Sequence, residues 1–319
     1  MAMTIEEIYQ DVIERGIEKD PRKREGVEEM LEREKKKYED MKEEEKKDYD
    51  TEKLTNPYSD TRILCGDPET EVKRIMVGVD MEVGEVLLAD RLAEKGKPVD
   101  LLMTHHPEGK ALAGLHYVMH MQEDILARYG VPINVAEDIM SSRISEVKRG
   151  LMPMNHNRAV DAAKILGIPM LSAHSVADNQ VASYLQELFD NEEPRTLGDI
   201  LKMLKDMPEY AEAARHNAGP EIIIGSKQRR AGKVLVDMTG GTGGSEEAYE
   251  KLSQAGVGTI VGMHIKEGHR KKAEKHHVNV VIAGHMASDS VGMNLLLDGL
   301  EKKGVEVIPC SGLIRHKRS

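Results

Sequence analysis

The chain has 319 residues, with 45 Lys and Arg against 56 Asp and Glu, a formal net charge of −11. That length fits one large domain or two ordinary ones with ample core. No Trp, one Phe and nine Tyr, together with net acidity, disfavour a dedicated nucleic-acid binder, which needs a basic footprint and stacking platforms.

Nineteen Met are expected to fill core volume that aromatics would otherwise take. Cys65 and Cys310 form no CxxC pair and fit a reducing compartment. The first residues lack an apolar signal region, and no apolar run nears the ~20 residues that span a bilayer. The expectation is a cytoplasmic protein with no membrane partner.

Thr4 precedes a helix whose Ile5, Ile8, Tyr9, Val12 and Ile13 recur at helical spacing, and Glu7 can complete a capping box. Gly16 is expected to end that helix. Pro21 to Asp50 is dominated by charged residues with a sparse apolar stripe, which predicts a solvated helix; residues 1–59 are read as a charged helical extension. After Thr55-Asn56-Pro57 short apolar strands alternate with helical stretches. Strands are expected at Ile75 to Val79, Asp100 to Thr104, Ile133 to Ala136, Ile168 to Ser172, Glu221 to Gly225, Lys233 to Asp237, Thr259 to Gly262, Val278 to Ala283 and Val305 to Pro309. Helices are expected between them, among them Gly114 to Tyr129, Gln180 to Phe189 and Ser245 to Gln254. The rhythm predicts an α/β fold, two similar α/β layers with mixed sheets flanked by helices, the first over 60–190 and the second over 191–319. Ligands in such folds gather at the carboxyl ends of strands.

Three expected strand ends carry His. The first runs Leu101-Leu102-Met103-Thr104-His105-His106-Pro107. Neighbouring side chains leaving an extended backbone diverge, so this pair is read as serving two metal ions. The others are His174-Ser175-Val176-Ala177-Asp178 and His285-Met286-Ala287-Ser288-Asp289, both strand, His-x-x-x-Asp, helix, as in a short internal repeat. Each Asp alone is explained equally well as a helix N-cap. Imidazoles and carboxylates converging at strand ends are, however, the donor set that Zn, Mn and Fe accept, and a two-metal hydrolytic centre is the leading reading. Gly240 to Gly244 follows an expected strand and precedes a helix expected at Ser245, a geometry that can cradle an anion. It lacks the Gly-Lys-Ser/Thr of a P-loop, and a tight turn without ligand explains it equally well. His116 and His120, one helical turn apart, are expected on the surface.

The THHP tetrad, the His-x-x-x-Asp after it and the late Ala283-Gly284-His285-Met286-Ala287-Ser288-Asp289 resemble the Nif-three-like family (NGG-one-interacting factor three), dinuclear metal-centre proteins also known as GTP cyclohydrolase type 2 homologues. The match extends from about Asp67 to Arg315. The resemblance implies metal ligands at His105, His106, Asp178, His285 and Asp289, with two divalent ions per subunit (Zn, Fe or Mn), and a pocket lined by His174. It also implies a homo-oligomer, a ring-shaped hexamer. Three departures stand out: Asp289 where the family carries Glu, His264 where it carries an acid, and added material in the arm and over 134–157.

The expected function is hydrolysis of a phosphorylated or nucleotide-like small molecule, with a GTP cyclohydrolase type 2-like reaction as what the resemblance implies. His174 or Asp80 is expected to relay a proton, and Lys266, His264, His269, Gly241 and Gly243 to contact substrate. The alternatives are a non-enzymatic metal-binding or metal-delivery scaffold and a protein-interaction regulator.

Overall fold

The structure, a computed structural model, describes residues 3–318. Strand β1 (Met3–Thr4) leads into α1 (Ile5–Glu18), and the capping box forms: Glu7 N–H donates to Thr4 Oγ1 while the Glu7 carboxylate accepts the Thr4 N–H. Gly16 does not end α1. A Cβ there would meet Val176 Cγ1 at 2.6 Å, so this glycine permits close approach of another helix. The charged α2 (Lys23–Glu39) buries only Val27, and α3 (Glu43–Lys46) buries nothing, as expected of solvated helices.

The remaining elements are β2 (Thr61–Cys65), β3 (Glu71–Val72), β4 (Arg74–Gly78), α4 (Val83–Glu94), β5 (Leu101–Thr104), α5 (Gly109–Gly114), α6 (Met121–Arg128), α7 (Ile133–Leu151), α8 (Arg158–Leu166), β6 (Met170–Ala173) and α9 (Ser175–Glu192). After them come α10 (Leu197–Lys205), α11 (Pro208–Arg215), β7 (Glu221–Ile224), β8 (Lys233–Asp237), α12 (Ala248–Gln254), β9 (Val257–Gly262), α13 (Glu267–Lys275), β10 (Asn279–Ile282), α14 (His285–Lys302) and β11 (Glu306–Cys310).

Two mixed sheets carry the fold, flanked by helices. One has the order β11-β4-β5-β6-β2, parallel except for β2; the other is β7-β10-β9-β8, parallel except for β7. The last strand, β11, joins the first sheet beside β4. Helices α9 and α14, each launched from the carboxyl end of a parallel strand, pack against one another. A Cβ on Gly292 of α14 would lie 2.3 Å from the Ala177 carbonyl of α9, which marks the close crossing.

Three local expectations are corrected. Ile133 to Ala136 is not a strand but the start of α7. Pro132 is its N-cap, and Ala136, Ile139, Met140 and Ile144 are the buried face of the helix. The stretch Gly114 to Tyr129 is not one helix: a 3-10 segment, Leu115–His120, separates α5 from α6, and it buries His116 rather than exposing it. Strand β2 is added to the expected set. No helix among the described residues is long and apolar enough to cross a membrane.

Candidate metal centre

The carboxyl ends of β5, β6, β8, β9 and β10 open on one cavity of about 300 Å³. His105 and His106 come from β5, His174 and Asp178 from β6 and α9, and His285 and Asp289 from β10 and α14. In both His-x-x-x-Asp segments the helix starts well before the Asp, α9 at Ser175 and α14 at His285. His174 and Gly284 are the N-caps, so Asp178 and Asp289 lie inside the helices, one turn from His174 and His285 and on the same face. Capping therefore explains neither carboxylate.

The adjacent pair does not diverge. After Thr104 the chain bends, the Thr104 hydroxyl donating to the His106 carbonyl at 2.7 Å, and both rings reach Asp289. His105 Nε2 is 3.4 Å from its Oδ1 and His106 Nε2 is 3.5 Å from its Oδ2. His105 Nε2 is also 3.5 Å from Asp178 Oδ1. Two donor groups result, His105 with His174 and Asp178, and His105 with His106 and Asp289. His285 stands beside the second, its Nε2 3.6 Å from Asp289 Oδ2.

Burial and charge set the protonation of these groups. Burial raises Asp178 to about 6. Burial also pushes Asp289 up, but the facing His105 and His106 outweigh it and hold its carboxyl well below the usual carboxylate range. For His174, burial favours the neutral ring, yet Asp178 and Asp60 raise it to about 9. His285 is lowered chiefly by burial.

Asp60 is absent from the sequence-derived set. It is fully buried, and its Oδ2 accepts from His174 Nδ1 at 2.8 Å and from Ser175 Oγ at 2.7 Å. Antiparallel pairing sets Thr61 against Ala173, so Asp60 and His174 are the next residues outward on the two strands.

Asp80 is half exposed and bonds His106 Nδ1 at 2.7 Å. It orients a candidate ligand and does not line the cavity, which corrects its expected role as proton relay. His264 lines the cavity, its ring 5.0 Å from that of His285. Lys266 is exposed at the N-cap of α13 and is not part of the lining. His269 lies behind the glycine loop, bonded through Nε2 to the Gly244 carbonyl at 3.0 Å. Neither is positioned as the substrate contact expected of it. Gly241 and Gly243 do line the cavity, but the helix after the loop starts at Ala248 rather than Ser245.

No family model and no curated protein matches the sequence. Among solved structures, the chain is similar to a NIF3 superfamily protein from Sphaerobacter thermophilus, with a TM-score of 0.70, 27% identity, and coverage of 80% of this chain and 92% of that one. Weaker overlaps are reduced HcgD from Methanocaldococcus jannaschii (TM-score 0.46, 18% identity, 77% and 87% covered) and a Bacillus cereus protein related to NIF3 (0.41, 11%, 82% and 92%); neither carries weight at that similarity. In motif and in fold, the chain resembles the Nif-three-like family and bears a candidate His and Asp metal centre.

Proposed function

We propose that this protein is a metal-dependent hydrolase of a phosphorylated or nucleotide-like small molecule, with divalent ions held by His105, His106, Asp178, His285 and Asp289. One observation carries the reading. Asp178 Oδ1 and both carboxylate oxygens of Asp289 are buried without a hydrogen-bond partner among the described residues, while imidazole nitrogens surround them. Buried carboxylates left unpaired are costly, and native proteins keep them where a cation completes the set. The mix of imidazole and carboxylate suits Zn, Mn or Fe, and two donor groups that each bring their own carboxylate, Asp178 in one and Asp289 in the other, suit a pair of ions, with His105 Nε2 ligating one of them.

Divalent ions in such a cluster supply Lewis acidity toward substrate oxygens and an activated water at neutral pH. The chain's own contribution to proton handling falls to His174. Asp60 accepts a hydrogen bond from its Nδ1 and fixes the ring, leaving Nε2 on the cavity side, 3.7 Å from Asp178 Oδ2. His264, at the far wall, is shifted toward its neutral form by partial desolvation and can hydrogen-bond a bound substrate.

The test is elemental analysis of the protein from its native host, of Asp178→Ala and of Asp289→Ala, followed by a panel of nucleotides and phosphoesters with the metal found. The reading expects about two ions per subunit, loss of metal in both variants, and metal-dependent product from the wild type. Metal absent from the wild type, or unchanged in both variants, removes the centre. Tightly held metal without turnover across the panel moves the protein to metal storage or delivery.

A further inference from the structure

The loop after β8, Gly240-Gly241-Thr242-Gly243-Gly244, faces the candidate metal centre across the cavity. Its backbone carbonyls are held from behind by side chains of three helices. Gln122 of α6 is buried, and its Nε2 donates to the carbonyls of Gly240 and Thr242, both at 2.6 Å. Arg143 of α7 donates through Nε to the Gly243 carbonyl at 2.9 Å, and His269 of α13 bonds the Gly244 carbonyl.

Peptide planarity then fixes where the N–H groups go. No peptide bond among the described residues is cis, and in a trans peptide the C=O and the following N–H point in opposite directions. Clamping the carbonyls of Gly240, Thr242 and Gly243 therefore turns the N–H groups of Gly241, Gly243 and Gly244 away from the clamps. None of these three N–H groups has a protein partner among the described residues. The Thr242 N–H alone turns back, to the Gly240 carbonyl at 3.1 Å, a tight turn that needs the positive φ of Gly241, 83°.

Gly241, Thr242 and Gly243 line the same cavity as the histidines, and the space where Gly243 would carry a Cβ is open. A turn that served only to reverse the chain would not require donors from three helices to fix its carbonyls. The cavity lining holds three carboxylates, Asp178, Asp237 and Asp289, and neither Lys nor Arg. An anion entering it depends on backbone N–H groups and on cations held by the histidine cluster.

We propose that the N–H groups of Gly241 and Gly243, with Gly244 behind them, form a cradle for the phosphoryl group of the substrate, and that Gln122 and Arg143 are the positioning residues that keep it open. This rests on the hydrolytic reading above and narrows its substrate class to compounds whose phosphate bridges loop and metal cluster.

The probe is inorganic phosphate, titrated by calorimetry into manganese-loaded full-length protein, with metal content measured on the same samples. Gly243→Pro removes one N–H at a position without positive φ, and Gln122→Leu releases two carbonyl clamps if the proline variant fails to fold. The proposal expects wild-type metal content in a folded variant and at least a tenfold loss of phosphate affinity. Phosphate binding as tight as in the wild type overturns the cradle and leaves the metal reading intact; so does a metal-loaded wild type that binds no phosphate. If the wild type holds no metal, the hydrolytic reading fails on its own, and the same comparison in chelator-treated protein with pyrophosphate decides the cradle.

Discussion

Asp60 and Asp80 do the same thing to two histidines in different surroundings, and the difference is measurable. Each accepts a hydrogen bond at a ring Nδ1, of His174 and His106, at 2.8 and 2.7 Å. Asp60 is fully buried, whereas the Asp80 side chain is 52% exposed. Partners of ligand histidines set tautomer and ring angle, and losing one costs about 10- to 100-fold in metal affinity. Asp60→Asn unlocks the His174 ring, whose Nε2 stands 3.7 Å from the ligand carboxylate of Asp178, and is expected to weaken metal retention by that order through Asp178, read by competition with a chelator at unchanged circular dichroism. Asp80→Asn, where water can replace the lost acceptor, is expected to change it by less than about fivefold. Equal effects would show that burial does not separate the two. No local pattern flags Asp60, because its partner lies 114 residues away and only the register of β2 on β6 brings them together. The histidines themselves were legible, since an apolar strand breaking into His is a local signal.

The two ligand-bearing helices invert an ordinary rule at Gly292. Gly to Ala inside a helix normally stabilises by about 1 kcal/mol. In α14 the added methyl would sit 2.3 Å from the Ala177 carbonyl and 2.9 Å from its carbon, rigid backbone that cannot swing aside. Gly292→Ala is expected to destabilise by about 1–3 kcal/mol in urea unfolding and, by prising α9 from α14, to lower metal content as well. A stabilised variant with full metal would show that the crossing does not fix the spacing of Asp178 and Asp289. At this scale the sequence disclosed most parallel strands, whose short apolar runs end in turn residues. It did not disclose the start of α9, because Ser175-Val176-Ala177 reads equally well as loop or first turn, and the Asp after it looked like a cap. Gly16 and Gly292 were illegible as packing glycines for a common reason: what approaches them comes from distant segments.

The N-terminal extension joins the body of the molecule through α1, while α2 and α3 remain in solvent. Ile5, Ile8, Tyr9, Val12 and Ile13 share one apolar cluster with Val176 and Ala177 of α9 and with Leu296, Leu297 and Leu300 of α14. A buried polar chain continues the link toward the cavity. Tyr58 donates to Asp20 Oδ2 at 2.8 Å, Asn179 donates to the Gly16 carbonyl at 3.1 Å and to Tyr58 at 3.2 Å, and Thr239 on the cavity wall donates to Asn179 Oδ1 at 2.6 Å. Tyr58→Phe leaves Asp20 and Asn179 short of a partner in a buried site, and is expected to cost about 1–3 kcal/mol by urea unfolding without changing metal content.

At the surface the same helix is tied to the carboxyl end of α14. Asp11 accepts from Arg15 at 2.8 Å and Lys303 at 2.6 Å. Burial pushes its carboxyl up, but the hydrogen bonds from Lys303 and Arg15 outweigh it and hold it below its ordinary value. A carboxyl depressed in the folded state adds stability that is complete above its unfolded pKa, ~4, and is lost as pH falls through the depressed value. Lys303 is 45% exposed, so solvent screening limits the effect to about 0.5–1 kcal/mol. Asp11→Asn should therefore be less stable than wild type by that amount at pH 7 in urea unfolding. The gap should close in acid, once pH has fallen below that depressed value, and shrink in 1 M salt at neutral pH. A gap that persists in acid would assign the loss to packing rather than charge, and this contact of α1 with α14 would then rest on its apolar face.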